Sequence, residues 1–263
     1  MPAQLNSPGR IQWLKLAIAE MQLALGKAGG ERQKACHRMA VALGVDQAIA
    51  KEKGFFEDEG LDVTLEAQSN WKVLLDRVLD GEIDGAQMLA GQPLASTLGY
   101  GTKGHLVTPY SMDLNGNAIT VSNAVWEAMK PGVAMEGDKP AHPISAATLK
   151  PVLEAYAADG KPFNLGMVFP VSTHNYELRY WLAACGIRPD EDVEIATVPP
   201  PFCADALEAG EVDGICVGEP WNSVAVERGV GRIVLATAQI WRRGVEKVLA
   251  LREPVLDERR EEV

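Results

Sequence analysis

Basic charge is what this chain is short of. Its 25 Lys and Arg residues face 36 Asp and Glu residues, a formal net charge of −11 over 263 residues. A nucleic-acid binder usually carries the opposite balance, so direct nucleic-acid binding is not expected. Cysteine is scarce as well. The four, at 36, 185, 203 and 216, contain no C-x-x-C pair, which excludes a zinc ribbon and a disulfide-dense scaffold. The histidines at 37, 105, 142 and 174 lack ligand spacing, so no metal site is expected. No P-loop, G-x-S-x-G or H-E-x-x-H occurs, and neither a cofactor nor enzymatic activity is anticipated. Cys203 or Cys216 with His174 has no spacing that suggests a thiol nucleophile, and buried, inert cysteine is the better reading.

Long hydrophobic runs are missing too. The stretch 11–25 is interrupted by Lys15, Glu20 and Gln22, which suits neither a membrane span nor a clean secretory signal. Its apolar residues Ile11, Leu14, Ile18, Met21 and Leu25 recur at three- and four-residue steps, the pattern of an amphipathic helix. With no export signal visible, the chain as encoded is expected to be cytoplasmic.

What is present is globular. Hydrophobic residues at 47% and charged residues at 23% exclude wholesale disorder, and the length suits one large or two small domains. From Gly54 onward, short β-rich runs alternate with helical patterns, the signature of βαβ units and a largely parallel sheet. Strands are expected over 61–66, 84–89, 105–110, 118–122, 164–169, 193–198, 212–217, 233–237 and 248–252. Helices are expected over 71–79, 124–129, 146–158, 174–184, 203–209 and 221–228, with 131–144 as a loop. One internal echo stands out: Gly81-Glu82-Ile83-Asp84-Gly85 recurs as Gly210-Glu211-Val212-Asp213-Gly214. Either all αβ turns look alike, or two similar α/β lobes each bring a strand end to a shared cleft.

Three strand-to-helix junctions carry the candidate chemistry. In Phe169-Pro170-Val171-Ser172-Thr173-His174-Asn175, Ser172 or Thr173 can cap a helix whose free N–H groups suit a small anion. His174 adds a donor at that terminus. Val217-Gly218-Glu219-Pro220-Trp221-Asn222 repeats the arrangement, with Trp221 either a core anchor or a cleft residue. In Ser69-Asn70-Trp71-Lys72 the indole opens a helix and can lay its face on a planar anion. Tyr180-Trp181, inside a helix, reads as core.

These motifs carry a resemblance. Glu52-Lys53-Gly54-Phe55-Phe56 with Glu59-Gly60-Leu61-Asp62-Val63 resembles the opening of binding proteins for nitrate, sulfonate and thiamine precursors. Four further stretches narrow it: Leu114 to Val121, Thr173 to Ala184, Val198-Pro199-Pro200-Pro201 and Cys216 to Asn222. Together they resemble the nitrate- and bicarbonate-binding receptors of ABC importers, and equally a cytoplasmic nitrate/nitrite sensor that controls an antiterminator partner. The resemblance implies an α/β, type II periplasmic-binding-protein-like fold, two lobes with a ligand cleft between them, the first lobe truncated. It implies an atypical segment over 1–49, lobe 1 over 50–115, lobe 2 over 116–217, and a return to lobe 1 over 218–263. It implies a receptor and not a catalyst, periplasmic if it serves transport, with permease and ATPase subunits or a regulatory protein as partner. Carried over residue by residue, the pocket groups are Trp71, Asn117, Thr173, His174, Gly218, Glu219 and Lys247. Asn117 stands where the family commonly has glutamine. Lys247 matches a position that is basic in nitrate binders and acidic in the bicarbonate branch. A buried ammonium stabilises a monoanion, whereas a carboxylate there needs a metal or a proton, so nitrate or nitrite is the expected ligand.

Overall fold

The computed structural model describes residues 45–68 and 70–260, and divides at residue 70 into two units. In the first unit, helix α1 (Val45–Glu52) leads through Gly54, at a left-handed φ of 75°, into the single turn α2 (Phe55–Asp58). Residues 61–66, expected as a strand, form no regular structure and pair with no strand among the described residues. An extended segment becomes a strand only when a neighbour satisfies its backbone. The amphipathic helix expected over 11–25 lies outside the described residues, as do Cys36 and His37.

The second unit contains two main sheets and a two-stranded ladder of β4 (Met135–Glu136) with β5 (Lys139–Pro140). In the smaller, strands β1 (Gly85–Leu89) and β2 (Val107–Ser111) flank β10 (Lys247–Leu251), all antiparallel. Helix α3 (Trp71–Leu79) covers it, burying Leu75 and Val78 against Met88, Leu106, Val248 and Ala250. The larger sheet has the order β7 (Glu194–Thr197), β6 (Asn164–Met167), β8 (Gly214–Gly218), β3 (Asn117–Ser122), β9 (Gly231–Ala236). Its inner strands are largely buried and build a core on each face. Ile119, Val121, Leu165 and Cys216 meet helices α5 (Asn123–Met129), α6 (Lys150–Ala158) and α7 (Thr173–Ala183) on one side. Ile215 and Val217 meet α8 (Cys203–Ala209) and α9 (Trp221–Glu227) on the other. Each fully buried aliphatic side chain contributes roughly 1.5–3 kcal/mol.

The sheets are less parallel than the sequence pattern implies. Parallel pairing is confined to β7, β6 and β8, while β3 runs against both β8 and β9. The reason lies in the crossings. Residues 112–116 carry the chain from β2 in the smaller sheet to β3 in the larger, so β3 is placed by a crossing between sheets and not by a βαβ unit with a strand of its own sheet. The return to the smaller sheet comes after residue 237, not at the expected 218, because β9 still pairs with β3. Gly91-Gln92-Pro93 opens helix α4 (Gly91–Leu98). Proline is tolerated in a first helical turn, where its missing N–H has no partner to lose. The 131–144 loop also contains a short ladder of Met135–Glu136 with Lys139–Pro140.

The echo has a structural counterpart. Gly210 ends α8 and Gly81 follows α3, at φ 70° and 78°, a conformation strained for any residue with a Cβ. The strand that follows each ends at the junction of the sheets. Beyond β1, a Cβ on Gly91 would overlap the Val171 carbonyl, so glycine lets α4 approach the turn before α7. Motif reading also overlooks Gly99-Tyr100-Gly101-Thr102-Lys103-Gly104, which has dinucleotide-loop spacing. It follows a helix, with Gly99 as the C-cap of α4, and leads to a strand, the reverse of the strand–turn–helix order that cradles a pyrophosphate.

Candidate functional site

Where β3, β8, β10 and the start of α7 converge, the sequence buries an unusual set of polar side chains. Ser172 is the N-cap of α7: its hydroxyl accepts from the Asn175 N–H at 3.2 Å, and Asn175 in turn donates to the Pro170 carbonyl at 2.7 Å. Thr173 is left as the first helical residue, its buried hydroxyl without a hydrogen bond. His174 follows, 1% exposed. At the end of β8, a Cβ on Gly218 would stand 3.5 Å from Asn117 Oδ1 and 3.7 Å from His174 Nε2. Three candidate residues therefore share one small polar face. Asn117 Oδ1 takes no hydrogen bond there.

Lys247, the first residue of β10, is 6% exposed. Its ammonium contacts the carboxylate of Glu246 and lies 5.6 Å from the centre of the Trp71 ring, within cation–π range. Its backbone N–H donates to Asp113 Oδ1 at 2.5 Å. Burial pulls Lys247 down to about 8, against the opposing charge of Asp113. Glu246 also approaches His174, with Oε1 3.3 Å from Nδ1 but without hydrogen-bond alignment. Burial, aided by the Lys247 ammonium, holds His174 well below the usual imidazole range, so the ring is neutral at pH 7. Glu246 thus lies between the lysine and the histidine.

Trp71 sits half-buried at the start of α3 and, like Phe169, Val198 and Trp221, packs against the core that contains Leu89, Val168 and Val217. The remaining candidate, Glu219, differs. Glu219 donates its N–H to the Gly116 carbonyl at 2.8 Å, while its carboxylate accepts from Ser223 N and Oγ at 3.1 and 2.8 Å. That carboxylate is committed to the first turn of α9. Asn222, adjacent in the same motif, is a structural clamp: it accepts from Thr120 Oγ1 and donates to the Val217 carbonyl. Tyr180 is exposed and lies 5.0 Å from the Trp241 ring, not in the core, whereas Trp181 is buried and donates to the Ile144 carbonyl. Burial pushes the Cys203 thiol up to about 12 and holds the Cys216 thiol well above its ordinary range, so neither supplies a thiolate.

Sequence reasoning misses three acids, Glu177, Glu246 and Asp113. Glu177 had a signal: it falls in the buried stripe of α7 with His174, Leu178 and Trp181, where an unpaired charge is rare. Glu246 is masked by its neighbour, since an acid beside a lysine ordinarily reads as a solvated pair. A solvent-open groove of about 490 Å³ lies elsewhere, between Lys150, Tyr156, Phe163 and Glu194, and none of the candidate residues line it.

Because the Lys247 ammonium sits on its ring, Trp71 should report anion binding. If an anion reaches that ammonium, intrinsic fluorescence should change on its titration and the change should vanish in Trp71→Phe. An undiminished change in that variant would assign the signal to another tryptophan.

Two α/β lobes joined by crossings, with a buried polar constellation at their junction, constitute the fold of the type II periplasmic-binding proteins. Over residues 41–263 the chain matches the NMT1-like family and belongs to it. It is 43% identical over 209 residues to the nitrate import ATP-binding protein NrtC of Synechocystis sp., covering 78% of this chain and 29% of that protein. It is 40% identical over 208 residues to the bicarbonate transport ATP-binding protein CmpC of Synechocystis sp., with the same coverage, 78% and 29%. Among solved structures, it superposes on the periplasmic nitrate-binding protein NrtA of Synechocystis PCC 6803 with a TM-score of 0.71 and 30% identity. The match covers 86% of this chain and 56% of NrtA. The chain therefore spans under a third of the two transport proteins and just over half of NrtA.

Proposed function

We propose that this chain is the solute-binding receptor for a small oxyanion, nitrate or nitrite, serving an ABC-type importer, and that it binds its cargo without transforming it. The observation that carries this reading is the buried ammonium of Lys247, 5.6 Å from the Trp71 ring centre, with Glu246 between it and His174 beside the Gly218 face. A cation withdrawn from water gains most from a monoanion that can share its charge at close range. Thr173 Oγ1, buried and unpartnered, supplies a second donor, and the N-terminus of α7 adds a partial positive charge. Likeness to NrtA supports the same class of ligand. As a receptor the protein would work in the periplasm, delivering to permease and ATPase subunits.

A second reading is favoured by one observation, the 43% identity to a segment of an ATP-binding protein. On that reading the chain senses the anion and acts on a partner protein instead of handing cargo over. Both readings require anion binding, and calorimetric titration with nitrate, nitrite, hydrogencarbonate and sulfate tests it. Nitrate at 100 times its Kd should stabilise the fold by about 2.7 kcal/mol through linkage, visible as a higher Tm. No heat and no Tm shift at millimolar concentrations of all four anions would refute both.

A further inference from the structure

A neutral carboxamide at an anion site must be told which of its ends to present. Asn117 is 4% exposed, and its Nδ2 donates to Glu177 Oε2 at 2.9 Å. An ionised carboxylate only accepts, so Asn117 has to give Glu177 its NH2 group. The carbonyl oxygen is thereby left facing Gly218 and His174, where it takes no hydrogen bond. This is the wrong end for nitrate, which has lone pairs and no hydrogen. It is the right end for an oxyanion that carries an O–H.

We propose that Glu177 is a specificity-determining residue: ionised, it turns the acceptor end of Asn117 to the ligand, and protonated, it frees the NH2 end for an acceptor-only anion. Protonated, Glu177 donates its O–H to Asn117 Oδ1, and the reoriented amide points its NH2 at the ligand. Nitrate capture then takes up one proton at Glu177. Hydrogencarbonate gives its own O–H to Oδ1 and takes up none there. The inference rests on the oxyanion-receptor reading and names what that site does with two related anions.

The surroundings of Glu177 make the proton available. Its carboxyl is 1% exposed, and burial raises it above the usual carboxylate range, with the hydrogen bonds from Asn117 and Thr237 working the other way. Facing it are Asn117 on β3, the neutral Cys216 thiol on β8, and Thr237 and Gly244 in the crossing after β9. His174 lies one turn earlier on α7 itself. Neither β6 nor the 146–149 turn, which also pack on α7, contains an ionisable residue. Among these neighbours there is no cation to hold Glu177 ionised, and the proton is not contested.

The test is calorimetry of the full chain with nitrate and with hydrogencarbonate at pH 7.5, in buffers of different ionisation enthalpy, for wild type and Glu177→Gln. Glutamine can donate or accept, so it serves either amide orientation without a proton. In wild type, nitrate should bind with proton uptake exceeding that of hydrogencarbonate. In Glu177→Gln, nitrate affinity should rise about tenfold and the excess uptake should vanish, while hydrogencarbonate affinity changes by less than about threefold. Equal proton uptake for the two anions in wild type overturns the proposal without needing the variant. Excess uptake that persists in Glu177→Gln overturns it too, and assigns the proton to His174. Failure of wild type to bind either anion would instead remove the receptor reading, and this inference with it.

Discussion

Nitrate affinity should fall by about 100-fold or more when the Lys247 charge is removed, because a charge-assisted contact made out of water is lost. Lys247 is 6% exposed, so neither bulk water nor dissolved salt can replace it. The informative variant is the pair Glu246→Gln with Lys247→Met. Lys247→Met alone strands the Glu246 carboxylate, and breaking a buried ion pair by one partner costs about 3–5 kcal/mol. Lys247→Glu is harsher still: Glu246 contacts the ammonium and Asp113 accepts from the Lys247 backbone, so a third carboxylate would crowd them. Loss of fold would then mimic loss of binding. The double variant removes both charges together and should keep its ligand-free Tm close to wild type. Nitrate affinity within about threefold of wild type in a folded double variant would put the ammonium outside the binding contact.

The same residue sets an alkaline limit. Burial lowers Lys247 to about 8, against the opposing charge of Asp113. The sign follows from linkage: nitrate binds the protonated lysine, and the ligand-free protein gives that proton up as pH rises. Lys247 by itself leaves nitrate affinity unchanged below the transition and adds a drop of roughly tenfold per pH unit above it, on top of the slope set by proton uptake at Glu177. Lys247→Arg, which stays protonated, should remove the added drop. Glu177 acts at the opposite end of the scale, where protonation of a raised carboxyl improves nitrate binding as pH falls.

Much of this arrangement is legible in the sequence, and its gaps have physical causes. Most helices and strands follow from periodicity, because their apolar faces are buried on one side or both. Residues 61–66 break the rule, since a strand depends on a partner that no local pattern encodes. Strand direction fails similarly: β3 and β10 owe their orientation to short crossings between sheets, which are a property of the whole chain. At the site, Trp71, Asn117, His174, Gly218 and Lys247 occupy strand ends and helix starts, which turn chemistry marks out. Glu219 occupies the same kind of position, yet its carboxylate turns to Ser223, because an acid at a helix start is drawn to free N–H groups. Glu177 and Glu246 are harder to read. A buried acid differs from a surface acid only in what tertiary packing sets beside it.

Gly218→Ala should separate binding from folding more cleanly than any charge change. Gly218 does not adopt a positive φ, so alanine fits the backbone without strain. The new methyl would sit 3.5 Å from Asn117 Oδ1 and 3.7 Å from His174 Nε2, ordinary contact distances that require no neighbour to move. The ligand-free fold should be as stable as wild type, or more stable by about 0.4–1 kcal/mol, because alanine has fewer unfolded conformations to lose. The anion meets the opposite situation. If it lies against the Gly218 face, the methyl occupies its place, and the overlap should reduce nitrate affinity about ten- to hundredfold. Stability and affinity should therefore move in opposite directions, as no general loosening of the fold could make them do. Thermal melting with and without saturating nitrate reads both at once: a ligand-free Tm equal to or above wild type, and a nitrate-induced rise that disappears. A rise as large as that of wild type would mean the anion sits away from Gly218, and the shared face of Asn117, His174 and Gly218 would then be a structural contact.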